Sequence, residues 1–219
     1  MPRFSQYFRI NKGQNELDFV NIDTDKDTPL YIDPYIFNVR EDAWSLYCRE
    51  AIISFFDAVI QSIRDGDTSR GRALMNYLGE PNETCLGVST GKPAGRGIGG
   101  NQADDLFDRL ARSRAALTGL LSDLSECELF VDRIGPDKIS DMTTNIIRRH
   151  LIEYTQAQCA LHNVEMIKDV PSGKLWNSTK CKWEETYVDL PVIDNKKNNT
   201  SPKISGEMEY VILTQIILQ

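Results

Sequence analysis

Asp137 and Asp141 stand four residues apart at the start of a helical pattern, and Asp132 closes the short apolar run before them. Three carboxylates so spaced offer hard oxygen ligands to a divalent cation such as Mg2+. A cation held there can polarise a phosphoryl oxygen and activate water. The same residues have a plainer use. Gly135-Pro136-Asp137 is turn chemistry, and Ser140 or Asp141 is a natural N-cap.

Glu83 is a further candidate acid. A restriction-endonuclease-like nuclease needs a helix Glu, a strand Asp and then a Glu-x-Lys. Glu83, Asp132 or Asp141, and Glu165 with Lys168 occur in that order, but Glu165-Met-Ile-Lys168 is one residue too long. Four cations are candidates for phosphate: Lys92 and Arg96 in the glycine-rich GVSTGKPAGRGIGG, and Arg148 and Arg149 on the helix after Asp141. Glycines let backbone amides approach an anion. The loop matches neither the P-loop nor the dinucleotide fingerprint. Asp104 and Asp105, in the first turn of the helix that follows, would already satisfy its positive end. His150 projects from an apolar arc, where a histidine satisfied by one hydrogen bond is the plain reading and a general base the sharper one. His150 and Cys159 face opposite ways on one helix, so they make no thiol-protease pair.

These groups need elements to position them. Apolar residues recur at helical spacing over 42–65, and DGDTS ends that run before a shorter helix through 78. A loop-rich insert spans 79–100, and a helix follows from about 102 to 124. ELFVDR (128–133) reads as a strand, and a two-faced helix covers about 140–160. On that helix Met142, Ile146, Ile147, Leu151 and Tyr154 share one side. Asp141, Thr144, Asn145, Arg148, Thr155 and Gln156 share the other, and Ile152 falls among them. The polar side is therefore not all solvent. Residues 17–37 read as two short strands around an acidic turn, 170–177 as a turn region and 183–193 as a strand. The terminal apolar run EYVILTQIILQ either docks in a sheet or is covered by a partner.

A formal charge of -7 counts against a simple DNA-coating role, although a local basic patch can still contact phosphate. The five cysteines form no CxxC pair, and their odd number fits reduced thiols in a cytoplasmic protein. MPRFSQYFRINKGQNELDF holds no unbroken apolar h-region, so a secretory signal is not expected there, and no stretch approaches the roughly 20 apolar residues of a membrane span.

LYIDPYIF (30–37), GEPNETCLGVSTGKPAGRGIG (79–99) and IGPDKISDMTTNIIRRHLIEYTQAQC (134–159) together resemble a bacterial family associated with defence-island neighbourhoods, over about residues 15–193. The resemblance carries no assigned chemistry. After LPVI this chain departs from the family pattern. The expected fold is a helix-rich α+β single domain over 1–193 with a small mixed or antiparallel sheet, then a polar linker and apolar strand over 194–219. The expected function is antiphage defence through action on nucleic acid, as a metal-dependent nuclease or a subunit of one. Glu83, Asp137 and Asp141 would be catalytic, Asp132, Asp137 and Asp141 would hold Mg2+, and Lys92, Arg96, Arg148 and Arg149 would hold phosphate. The alternatives are a non-catalytic partner or sensor subunit, docking another subunit or a second copy, and a nucleotide-phosphate-binding module.

Overall fold

The computed structural model describes residues 2–24, 26–86, 100–113, 134–194 and 208–215. Its longest helix, α3 (Ala43–Arg64), forms where the apolar spacing predicts. Asp42 caps it by accepting a hydrogen bond from the Ser45 amide at 3.0 Å, and Gly66 at φ +70° lets the chain leave. Around α3 lie the four-residue α2 (Ile36–Val39), α4 (Thr68–Met75) and α5 (Gly100–Arg112), while the four-residue α1 (Phe4–Tyr7) joins a separate apolar cluster. Gly71 is where α4 comes close to its neighbours. A Cβ there would overlap the Phe107 ring of α5 and the Ser62 hydroxyl of α3. Asp104 is ion-paired to Arg72 at 2.7 Å and sits past the first turn of α5, so it does not serve the helix N-terminus as expected.

The two-faced helix is two helices, α6 (Pro136–Ile146) and α7 (Arg148–Leu161), divided at Ile147. Pro136 takes the first position of α6 after Gly135, so neither Ser140 nor Asp141 is the cap. The division has a local cause. Thr143, Thr144 and Asn145 each return a side-chain hydrogen bond to the carbonyl four residues back, at 2.7–2.8 Å. Such back-bonding competes with the helical ladder and bends it.

Among the described residues the strands form three two-stranded antiparallel sheets. β1 (Ile167–Pro171) pairs with β4 (Tyr187–Leu190) through a register shift, and Asp169 sits inside it at φ +58°. β2 (Leu175–Asn177) and β3 (Lys182–Glu184) make a hairpin with Trp176 opposite Trp183. β5 (Val192–Asp194) pairs with β6 (Met208–Tyr210). In place of two strands, the described residues of 17–37 supply isolated bridges, Phe19 to Gln215, Asp23 to Arg3 and Thr28 to Leu86, and Pro29 and Pro34 interrupt any ladder in the second half. The span 170–177, expected as a turn, holds the end of β1 and all of β2. The single strand expected over 183–193 is three pieces.

The main core gathers around Phe55, Phe56 and Val59 of α3, with the Trp176 indole edge-on to Phe55 at 5.0 Å. A second cluster joins Phe4, Phe19, Ile22 and Cys159 to Ile193, Val211 and Leu213. The molecule is therefore a helix-rich α+β fold, and residues 211–214 of its C-terminal apolar run are buried in it.

Candidate functional site

Continuing the helical face from Asp141 places Asn145 one turn on and Arg148 just beyond the Ile147 break. This polar face points into the protein: Thr144, Asn145, Arg148, Thr155 and Gln158 are all buried. Asn145 is fixed by donating from one amide nitrogen to the carbonyls of Gly79 (2.5 Å) and Asp141 (2.8 Å).

Arg148, only 5% exposed, donates from Nε to the Ser172 carbonyl at 2.8 Å and from Nη2 and Nη1 to the two Glu83 oxygens at 2.8 and 3.3 Å. The fork geometry matches a carboxylate, and the pair neutralises itself. Gly173 makes room for it. Its φ is +69°, and a Cβ would stand 3.2 Å from the guanidinium. The Glu83 carbonyl also accepts from the Ile212 amide at 2.8 Å. Glu83 and Arg148 thus serve each other and the frame. Neither is a loose acid or a loose phosphate ligand.

Beside the pair lies an open cleft of about 240 Å³, lined by Tyr77, Glu80, Glu83, Asn145, Arg148 and Lys174 among others. Glu80 and Glu83 are its lining carboxylates, and Asp141 stands one helical turn before the lining residue Asn145, just outside the lining. Burial first, then the charges of Asp137, Glu80 and Asp27, push the Asp141 carboxyl up to about 7. Glu80 is raised too, by burial and then by Asp27 and Asp137. Asp137 is exposed in the first turn of α6. Among the described residues, no three His, Cys, Asp or Glu side chains form a group that could hold a metal ion. Asp132, Lys92 and Arg96 lie outside the described residues, as do the strand expected at 128–133 and most of the glycine-rich loop.

Arg149 points the other way, into a second cleft of about 590 Å³ walled by the β2–β3 hairpin, and comes within 3.9 Å of Glu184. His150 stacks on Tyr47 with centroids 6.0 Å apart and meets Glu153 at 3.3 Å; burial lowers its proton affinity. Burial pushes the Cys159 thiol up to about 12, which removes it as a nucleophile near neutrality.

Sequence reasoning missed Glu80, Gly173 and Lys174. The signals were present: Glu80 shares the short 79–84 loop with Glu83, and Ser172-Gly173-Lys174 is turn sequence. What could not be read was that both segments fold against the α6–α7 junction.

The fold and cleft define a class: a helix-rich α+β domain with a polar helix seam buried beside a carboxylate cluster. More particularly, the chain belongs to the family described as domain of unknown function (DUF8370), whose model matches residues 9–203. No curated protein and no solved structure matches it.

Proposed function

We propose that the cleft at the α6–α7 junction is a substrate site for nucleic acid and that Asp141 is its proton-exchanging group. The observation that carries the reading is a half-buried carboxyl one helical turn before the cleft-lining Asn145, pushed up to about 7 by burial and the neighbouring acids. Such a group is half-protonated at neutral pH. It can therefore accept a proton from an attacking water or give one to a leaving oxygen. Lys174, paired to Glu185 at 3.1 Å, adds an ammonium group to the cleft lining. Glu83, Arg148 and Asn145 fix the wall against which a substrate would be aligned.

The oxygen donors of Asp137 and Asp141 are of the kind Mg2+ prefers, and a bound ion would supply positive charge for the phosphate. The described side chains alone do not complete a metal group, so the proton chemistry is assigned to Asp141 without a step through the ion. Asp132 stays in the proposal as the third ligand. The defence setting rests on the sequence resemblance.

The test is cleavage of single- and double-stranded DNA and RNA, with and without Mg2+ or Mn2+. We expect Asp141→Asn to lower turnover by about 10²–10⁴-fold, the usual worth of a positioned acid or base. Full activity in Asp141→Asn, or no cleavage of any of these polymers by the wild type, would contradict the reading.

A specific observation supports the second reading, a non-catalytic subunit docked to another protein subunit. Val39 of α2, Leu46 and Tyr47 of α3, and Tyr35 just before α2 are exposed, with Tyr47 at 58%. Light scattering on wild type and on a Leu46→Glu/Tyr47→Glu variant tests it: a complex lost in the variant supports docking, and a monomer in both removes it. Among the described residues, no helix is long and apolar enough to cross a membrane.

A further inference from the structure

The second cleft carries an inference that rests on the nucleic-acid reading and deepens it. The β2–β3 hairpin concentrates cations. Lys180, Lys182 and Arg149 all converge on one carboxylate, Glu184, at 2.9, 3.7 and 3.9 Å. The neighbouring Glu185 is matched one to one by Lys174 at 3.1 Å. Three cations around one carboxylate leave positive charge in excess, in a chain whose net charge is -7. The Asn177 hydrogen bond first, and the Lys180 hydrogen bond second, hold the Glu184 carboxyl down to about 2. Lys180 and Lys182 each keep 59% of their side chains exposed, so their ammonium groups remain open to a second anion.

Position supplies the other half of the argument. Arg148 and Arg149 are successive residues that line different clefts, and so are Lys174 and Leu175. The two clefts therefore lie side by side across the start of α7 and the start of β2. Lys174 stands on the ridge between them, its ammonium 4.9 Å above the Tyr77 ring on one side and paired to Glu185 on the other. An extended polyanion lying along the hairpin would run over Lys180, Lys182 and Arg149, cross at Lys174 and enter the Asp141 cleft.

We propose that the β2–β3 hairpin, through Lys180, Lys182, Arg149 and Lys174, binds the phosphate backbone of a nucleic-acid strand and leads it to the Asp141 cleft. Backbone contacts of this kind carry no sequence preference, and they weaken steeply with salt because each phosphate neutralised releases counterions.

The experiment is fluorescence anisotropy of a labelled single-stranded DNA of about 20 nucleotides against wild type and Lys180→Gln/Lys182→Gln, at several salt concentrations. The double variant should bind at least about tenfold more weakly, and its log Kd against log salt slope should be shallower by roughly 1.4, about 0.7 for each single-strand phosphate that is no longer neutralised. Both side chains are exposed, and circular dichroism should show the fold unchanged. Equal affinity and equal slope in the two proteins would overturn the inference, even if the wild type cleaves DNA and the cleft reading survives. Lysine-dependent binding with no loss of cleavage in Asp141→Asn would keep the hairpin and remove Asp141. Lysine-dependent binding of ATP or inorganic phosphate, with no binding of the oligonucleotide, would also overturn the proposal, because the ligand would not be a polymer. A wild type that binds none of these probes would overturn it as well.

Discussion

Asp141 is a residue whose environment, not its type, sets its behaviour. An aspartate in the unfolded chain gives up its proton near 3.8, whereas in the fold burial and three neighbouring acids hold the proton to about 7. Between those values the native state binds more protons than the unfolded state. The stability contributed is complete below the lower value and is lost as pH rises through the higher one. Asn has no charge to bury. Asp141→Asn should therefore match wild type near pH 3, below the unfolded value, and exceed it near pH 8 by about 1–3 kcal/mol, after allowance for partial solvent screening; urea titrations at the two pH values check this. Asp42 behaves oppositely. Burial raises its carboxyl, but hydrogen bonds from Arg40 and Ser45 outweigh burial and bring it to about 2. Its stabilisation is present above the unfolded value and is lost as pH falls through the folded one. Asp42→Ala should lower stability by about 1–2 kcal/mol near neutral pH, as loss of an N-cap does, and by less in acid. The sequence marked Asp141 as a cap, a metal ligand or a catalytic acid, and gave no sign of its proton affinity. Its proton affinity depends on Glu80 and Asp27, which are distant in the chain.

At the scale of elements, the Glu83–Arg148 pair locks the Asn82–Thr84 turn and the Ser172–Lys174 turn onto the start of α7. Removing one partner leaves the other charge with poor solvation. Glu83→Gln keeps the shape but not the charge, and it should cost about 2–4 kcal/mol by thermal or urea unfolding, since Glu83 keeps some solvent contact. Glu83→Leu/Arg148→Met should recover part of that loss, because no charge is then left behind. The helices were largely legible. Apolar spacing gave α3 to within about two residues, together with α4 and the start of α5. It merged α6 and α7, because back-bonding by Thr143, Thr144 and Asn145 leaves no mark on periodicity. The strands were less legible. Each is three to five residues long, too short for alternation to develop, and their partners are set by distant segments such as 208–210.

In the whole molecule, the C-terminal run ties the two apolar clusters together. Ile212 belongs to the main cluster, while Val211 and Leu213 belong to the second. Its amides reach the Pro191 and Glu83 carbonyls and the Thr155 hydroxyl, and the Thr214 carbonyl accepts from Val20. Three buried aliphatic side chains represent about 5 kcal/mol or more of burial, comparable with the whole stability of many domains. A chain ending at 207 should lose cooperative thermal unfolding or melt far lower, and it should bind a hydrophobic dye; a melt unchanged from wild type would show that the run is dispensable. The sequence indicated that this run must be covered. That it would be covered by the chain's own first 22 residues and α7 was not readable from periodicity.

The most direct measurement is the NMR titration of the Asp141 carboxyl carbon, assigned by comparison with Asp141→Asn and repeated with the DNA oligonucleotide present. The account predicts a midpoint near 7 that moves when DNA is added. A midpoint near 4, unaffected by DNA, would contradict it.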